Sequence, residues 1–422
     1  MNKHEKLQIL RDLVEINTVN NYEEAVAIYV KDLLASYGIS SSTIKQAPKR
    51  ANLVAEIINN DGPILGFSGH MDTVSEGDIN SWNTNPFKLV AKDGKLYGRG
   101  TSDMKAGVVD LIIAFIELAN DENFKGNVRL ILTISEELTE EGAKYLSDLG
   151  YGDDLDSLII AEPTGVAKDK LNDYVNSDGV KINSQLKQTL LAKNDLGAFD
   201  EQHFIITAHK GWMTYTVTSI GKAAHSSMPS MGINAIDNLI KYYLAEKVFY
   251  NSLTEYDDDL GYTVYAPDII RGGKQVNSIP DKAYLQVKVR TIPQLPNDEL
   301  IRRLTAIIDR LNKQPGVNLT LKVEYNECPV KCHNNTNIVD IFQKEAGFVL
   351  NEAMPLPKVG VSLGTDASEF RRNNPELDIV IVGPGNTTSH QANEYVDLET
   401  FYNMTDLYFN VAVKFFEKNL VR

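Results

Sequence analysis

Histidine and carboxylate side chains recur in this chain at the ends of apolar runs. The run Ile64-Leu-Gly-Phe-Ser-Gly stops at His70, with Asp72 two residues on. Residues 128–135 stop at Glu136-Glu137, residues 158–161 stop at Glu162, and residues 377–382 lead through Gly383-Pro-Gly-Asn-Thr-Thr-Ser to His390. Asp103 adds a carboxylate in a loop ahead of an apolar helical stripe. Imidazole nitrogens and carboxylate oxygens form a donor set suited to zinc, cobalt or manganese, and the lack of thiolates points to catalysis over structure. Adjacent carboxylates such as Glu136 and Glu137 repel, so a pair at a strand end calls for a cation or a raised pKa. Each residue alone has an ordinary explanation. A histidine can be satisfied where it stands, Asp103 can cap a helix, and Glu136-Glu137 can be a solvated turn with Glu140 and Glu141. One shared site accounts for all of them together.

Such a site needs elements that bring those ends together. Short continuous apolar runs suit strands of a parallel sheet buried on both faces. Polar groups just past such strands fall where open α/β sheets bind ligands, and Asp72 can there orient the His70 ring. Helices are expected over residues 6–16 and 22–37, the second with Gly38 as its C-terminal cap. Another follows Asp103, with Val108, Leu111, Ile112, Phe115 and Ile116 inward. Residues 53–58 read as a strand, residues 82–87 as a loop, and residues 87–96 as a hairpin turning at Asp93-Gly94. From Trp212 to Tyr325 the pattern changes to strand, helix, strand, strand, helix, strand. These segments are residues 213–220, 234–243, 262–266, 284–291, 296–311 (Ile301, Leu304, Ile308 and Leu311 inward) and 319–324. That order suits a ferredoxin-like α+β sandwich inserted into the larger domain.

The length of 422 residues exceeds what one core usually supports. Hydrophobic content of 43% and charged content of 23% are those of an ordinary globular protein. A formal net charge of −15 argues against nucleic acid and anionic membrane as partners, so an anionic substrate would need locally placed arginines. The two cysteines, Cys328 and Cys332, are too few for a disulfide framework and fit a reducing compartment. Their Cys-x-x-x-Cys spacing has no second pair to complete a metal or redox site. The N-terminus runs into an amphipathic helix and not an apolar signal segment, and no run reaches the roughly eighteen apolar residues of a membrane span. The expected location is cytoplasmic.

Gly69-His-Met-Asp-Thr, Gly98-Arg-Gly-Thr-Ser-Asp-Met-Lys-Ala-Gly, Ser135-Glu-Glu, Ala161-Glu-Pro-Thr and the late His390 closely resemble the M20 metallopeptidases. Within them, the chain looks like the acetylornithine deacetylase and succinyl-diaminopimelate desuccinylase group. Asp103 lies 33 residues after His70, and Glu136 another 33 after Asp103, in the family's order. The resemblance implies an α/β catalytic domain of zinc-peptidase type, a mixed and mostly parallel sheet between helices, over residues 1–211 and 329–422. Residues 212–328 would be the inserted lid, which also forms the dimer interface. It implies two divalent metals per subunit, zinc with cobalt or manganese possible, sharing Asp103 and a water as bridges. One metal would be held by His70 and Glu162, the other by Glu137 and His390. Glu136 would be the general base, and Asp72 the partner of His70. Two bridged cations lower the pKa of their water and polarise an amide carbonyl, while Glu136 can carry its proton to the leaving amine.

The resemblance extends to the lid. His225, in Gly221-Lys-Ala-Ala-His-Ser-Ser, resembles the histidine that reaches the partner subunit's site and stabilises the oxyanion. Asn277 and Arg290 resemble an asparagine that contacts substrate and an arginine that grips its carboxylate. Ser362-Leu-Gly-Thr-Asp-Ala-Ser368 resembles the substrate-side loop, which puts Gly364 and Thr365 among the binding residues. Its aspartate after the threonine resembles the desuccinylases more than the acetylornithine enzymes. The implied activity is hydrolysis of an N-acyl amino acid, foremost N-succinyl-LL-2,6-diaminopimelate in diaminopimelate and lysine biosynthesis. An acetylornithine deacetylase, an aminoacylase, a dipeptidase and a silent binding protein are the alternatives. Glu394 is either a supporting carboxylate or solvated. The polar segment 165–206 departs from the family's pattern and reads as a surface excursion, with weak helical character over 182–191.

Overall fold

The apolar runs form the centre of one sheet, and the donors sit at its edge. A computed structural model describes residues 1–192, 200–350 and 355–419. Residues 193–199 of the excursion therefore lie outside the described residues. Two compact units are present: residues 1–208, 331–360 and 365–422 form the first, and residues 209–330 and 361–364 the second.

In the first unit a ten-stranded sheet runs Ser41–Ala47, Arg50–Ile57, Asn127–Thr133, Ile64–His70, Ser157–Ile160, Asp378–Ile381, Ile205–His209, Lys358–Val361 and Val180–Lys181, with Val330–Lys331 added beside Ile205–His209. Its centre is parallel: Ile64–His70 pairs in parallel with Asn127–Thr133 and with Ser157–Ile160, which pairs in parallel with Asp378–Ile381. Arg50–Ile57 pairs antiparallel with both Ser41–Ala47 and Asn127–Thr133, and Ile205–His209 pairs antiparallel with Asp378–Ile381. Every residue of Asn127–Thr133 and Ser157–Ile160 is buried, which is why these runs show no alternation. The helix Lys105–Asn120 is buried along almost its whole length, Val108, Leu111, Ile112 and Phe115 included. Each such side chain stabilises the fold by about 1.5–3 kcal/mol. Gly107 lets this helix approach the sheet, because a Cβ there would stand 2.3 Å from the carbonyl oxygen of Ala161. The close approach holds the helix start beside the strand that ends at Glu162.

The hairpin turns as expected, between Val90–Lys92 and Lys95–Tyr97, with positive φ at both Asp93 and Gly94. The strand Ser41–Ala47 has no counterpart in the sequence reading, since its half-buried pattern carries no clear apolar face. The excursion contains elements of its own. Leu171–Asn176 and Ser184–Ala192 are helical, and Gly165–Ala167 pairs with Glu201–His203, burying Leu171, Val175 and Leu190. Both cysteines are free. No helix among the described residues is long and apolar enough to cross a membrane.

The second unit holds an antiparallel sheet in the order Val264–Gly272, Lys282–Thr291, Gly211–Ile220, Leu319–Glu327, with the helices Ala235–Asn251 and Asn297–Asn312. This is the ferredoxin-like order. Leu300, in place of Ile301, heads the buried stripe of the second helix, with Leu304, Ile308 and Leu311. The first helix runs eight residues past the expected end at Tyr243, to Asn251. Its outer positions Ile240, Leu244 and Val248 are exposed, so the sequence shows no single apolar stripe to follow. The strand Val264–Gly272 also exceeds expectation, because Pro267 and a register shift between Pro267 and Ile269 interrupt its pattern.

Candidate metal centre

His70 is the last residue of its strand and fully buried. Its Nδ1 donates to the backbone carbonyl of Asp72 at 3.0 Å, which turns Nε2 towards the carboxylates. That nitrogen lies 3.1 Å from Asp103 Oδ1, 3.4 Å from Glu162 Oε1 and 4.0 Å from Glu136 Oε2. His390 approaches from the loop after Asp378–Ile381, its Nε2 2.9 Å from Glu137 Oε2 and 3.3 Å from Asp103 Oδ2. Asp103 thus turns one oxygen to each histidine. The donors of His70, Asp103 and Glu137 lie within 4.8 Å of one another, as do those of His70, Glu136 and Glu162.

Metal ions fit this arrangement on the chemistry of the donors. Ligands about 2.0–2.2 Å from a tetrahedral zinc stand about 3.3–3.6 Å apart, within the 2.9–4.0 Å spread of the separations found. Glu137 Oε1 is buried without a hydrogen-bond partner, as an oxygen awaiting a cation would be. Electrostatics agree. Burial, then the charge of Glu162, pushes the Glu136 carboxyl well above the usual range. Burial and the charge of Asp103 raise Glu162 and Glu137. Asp103 goes down, because its bonds to His390 and His70 outweigh burial. The bonds of His390 to Asp103 and Glu137 push that imidazole up to about 10. So dense a group of carboxylates needs positive charge among them, from protons or from metal.

The backbone around the donors is specially held. Ser135 and His390 take left-handed conformations, φ 65° and 63°, costing about 1–2 kcal/mol each. Such strain collects at functional sites. The Asp72 carboxylate accepts the backbone N–H groups of both Glu136 and Glu137, each at 3.2 Å. It therefore fixes the dipeptide that carries those acids as well as standing beside His70, 3.6 Å from Nδ1. The peptide between Asp103 and Met104 is cis. Asp103 does not cap the following helix: the cap is Met104, with no side-chain capping bond.

Glu394, read from sequence as either supporting or solvated, is fully buried. Its Oε1 accepts the N–H groups of Ser102 at 2.8 Å and Asp103 at 2.9 Å, and Oε2 is paired with the buried Arg99. Lys105, also buried, donates to the carbonyls of Leu13 and Ile16 at 2.8 and 2.7 Å, and burial pulls it down to about 7. Sequence reasoning passed over Arg99 and Lys105. Their signal was two cations inside the small-residue stretch around Asp103. Asp366 was noted only as a clue to substrate. It is buried, accepts from Thr133 Oγ1 at 2.5 Å, and is pushed by burial up to about 7.

Of the remaining expected residues, His225, Asn277, Arg290 and Gly364 belong to the second unit and Thr365 to the first. His225 and Asn277 are exposed in the second unit, tied together by a bridge from His225 to Ser278 and a bond from Ser226 N–H to the Asn277 carbonyl at 3.1 Å. His225 Nδ1 accepts the Ser227 N–H at 3.2 Å, so the neutral ring carries its hydrogen on Nε2. Arg290 stands opposite Trp212 on the sheet of that unit. Gly364 also lies by Trp212, where a Cβ would be 3.3 Å from the indole. Thr365 is buried and its hydroxyl accepts the Ala367 N–H at 3.3 Å.

Comparison with known proteins fits this geometry. The family model of peptidase family M20/M25/M40 matches residues 66–414. A probable succinyl-diaminopimelate desuccinylase of Staphylococcus aureus is 36% identical over 443 positions, covering 98% of each chain. Among solved structures, aminopeptidase PepT of Bacillus cereus superposes with a TM-score of 0.71 at 17% identity, over 98% of this chain and 99% of that one. The YXEP protein of Bacillus subtilis, described as a dinuclear metal binding peptidase of family M20, does so with a TM-score of 0.69 at 15% identity, over 99% of each. These two share the fold.

Proposed function

The chain belongs to the M20/M25/M40 peptidase family, a family of metal-dependent hydrolases, and we propose that it removes the succinyl group of N-succinyl-LL-2,6-diaminopimelate. The observation that carries the hydrolytic part is the convergence of His70, Asp103, Glu137, Glu162 and His390 on one small volume with Glu136 beside it. The choice of acyl group rests on the likeness to the staphylococcal relative. The product, diaminopimelate, suits a place in lysine biosynthesis and a cytoplasmic enzyme.

Two divalent ions, zinc or else cobalt or manganese, would be held by His70 with Glu162 and by Glu137 with His390, Asp103 serving both. When bound they supply Lewis acidity to the amide carbonyl and acidity to a water. The protein's own groups do the rest. Glu136, held at the rim of the cluster by the Asp72 bond to its N–H, takes the proton of the attacking water. It then gives that proton to the amine as the C–N bond breaks. His225, with its Nε2–H outward, donates to the oxygen that gains charge in the transition state. Arg290 offers a bidentate fork to a substrate carboxylate, and Asn277, Gly364 and Thr365 complete the contacts. Asp72 is a positioning residue.

We read the second unit, residues 212–328 in the main, as a lid that also pairs two subunits. Supporting this, Ile240, Leu244 and Val248 form an exposed apolar row on Ala235–Asn251. The neighbouring edge strand Val264–Gly272 is exposed along nearly its whole length. Hydrolysis of a panel with zinc or cobalt added tests the reading: N-succinyl-diaminopimelate, N-acetylornithine, an N-acetyl neutral amino acid and a dipeptide. Strong preference for the succinyl compound is expected. Preference for another member would keep the hydrolase and discard this substrate.

A further inference from the structure

The chain carries a formal net charge of −15, yet the second unit gathers cations around one indole. Along Gly211–Ile220 and Lys282–Thr291 the buried residues alternate with half-buried ones. Met213, Tyr215, Val287 and Val289 are buried, so Trp212, Lys288 and Arg290 stand on the opposite face. There Trp212 stacks on Tyr325, ring centroids 4.4 Å apart and planes within 15°. Lys288 Nζ is 4.5 Å from the centre of the indole, and Arg290 Cζ 5.9 Å. Lys210 donates instead to the Tyr262 carbonyl at 2.6 Å, and burial with the charge of Arg290 pulls it down to about 8. Glu327 is the acidic neighbour, one oxygen 3.5 Å from where a Gly364 Cβ would be.

A lysine over an indole is commonly no more than a structural cation–π pair. Two features take this one further. Among the described residues, Trp212 Nε1 has no hydrogen-bond partner and Lys288 no carboxylate partner, so their N–H donors are unused. Gly364, from the loop read as substrate-binding, lies against the indole edge, 3.5 Å from Nε1 when a Cβ is built on it. Lys288 and Arg290 sit on one strand face two residues apart, about 6.5–7 Å along the strand. That spacing suits a ligand whose two carboxylates are separated by an amide and a short acyl chain.

We propose that Trp212 and Lys288 form a second anion subsite beside Arg290, which reads the carboxylate at the end of an acidic acyl group. The indole N–H and the ammonium hold that carboxylate, while Arg290 takes the one on the amino-acid part. This rests on the proposed desuccinylase reading and names the residues that would make it selective.

The test is steady-state kinetics on N-succinyl- and N-butyryl-diaminopimelate, which differ only in a terminal carboxylate against a methyl group. In Lys288→Met the succinyl-to-butyryl ratio of kcat/KM should fall about tenfold to a hundredfold, carried by the KM for the succinyl substrate. Lys288→Arg should recover most of the ratio, and Trp212→Phe, which keeps the stack but lacks the N–H, should lose several-fold. An unchanged ratio in Lys288→Met, or an equal loss of kcat on both substrates, would overturn the subsite while leaving a desuccinylase in place. A wild-type enzyme that turns over neither compound, but cleaves another panel member, would overturn the substrate reading and the subsite with it.

Discussion

The donors of the first unit and the His225–Asn277 segment of the second are opposite physical situations. The donors are mostly buried and supported from behind. Asp72 holds Glu136 and Glu137, Glu394 with Arg99 holds Asp103, and the charges shift one another strongly. His225 and Asn277 are exposed, Val276 beside them is wholly so, and their bonds are to their own neighbours. A group so placed has no carboxylate or metal donor fixing it, and it acts only on something brought to it. We take the contrast as the division between a self-contained hydrolytic centre and a contact surface that a second copy of the chain would complete.

The largest effect should come from the centre. Replacing Glu136 with Gln keeps the bond from its backbone to Asp72 but removes the proton carrier, so kcat should drop about 10²–10⁴-fold. Elemental analysis should find the metals still present. Loss of metal together with activity would instead make Glu136 a ligand. Next is His225→Ala, expected to lower kcat about 10²–10³-fold as the loss of one transition-state donor does. If His225 acts across subunits, mixing this variant with Glu136→Gln should restore activity. Random exchange gives one intact site in half of the dimers, about a quarter of wild-type activity. No recovery after verified exchange would put His225 in its own subunit's site or outside catalysis.

Smaller effects should separate support from chemistry. Arg99→Met leaves Glu394 buried without its cation, at a cost of about 3–5 kcal/mol in denaturant unfolding. It should also weaken metal binding, because Glu394 holds the N–H of Asp103. Unchanged stability would mean Glu394 is protonated in the fold, as its rise to about 7 on burial allows. Leu244→Glu, in the exposed row of the second unit, should raise the dimer dissociation constant at least about tenfold in sedimentation, with monomer stability nearly unchanged. A monomeric wild type would remove that role from the row.

The centre was legible in the sequence because each donor follows a run whose burial on both faces leaves a continuous apolar signature. Ile64–His70 and Asn127–Thr133 are the clearest. The support was less legible. Arg99 and Glu394 lie in loops without periodicity, Lys105 only opens a helix, and their partners are hundreds of positions away or are backbone carbonyls. The second unit's order of elements was readable, but the lengths of Ala235–Asn251 and Val264–Gly272 were not. Apolar residues there face outward, and a proline interrupts the strand. The Trp212 cluster escaped for another reason: its members come from separate strands, and no spacing in the chain announces their meeting.

In the proposed centre two metals share Asp103. Calorimetric titration of zinc into chelator-stripped protein tests it directly, run on wild type and on His390→Ala. Two equivalents per chain are expected in wild type and about one in the variant, whose remaining site keeps His70, Asp103 and Glu162. A single equivalent in wild type, or two undiminished in His390→Ala, would contradict it.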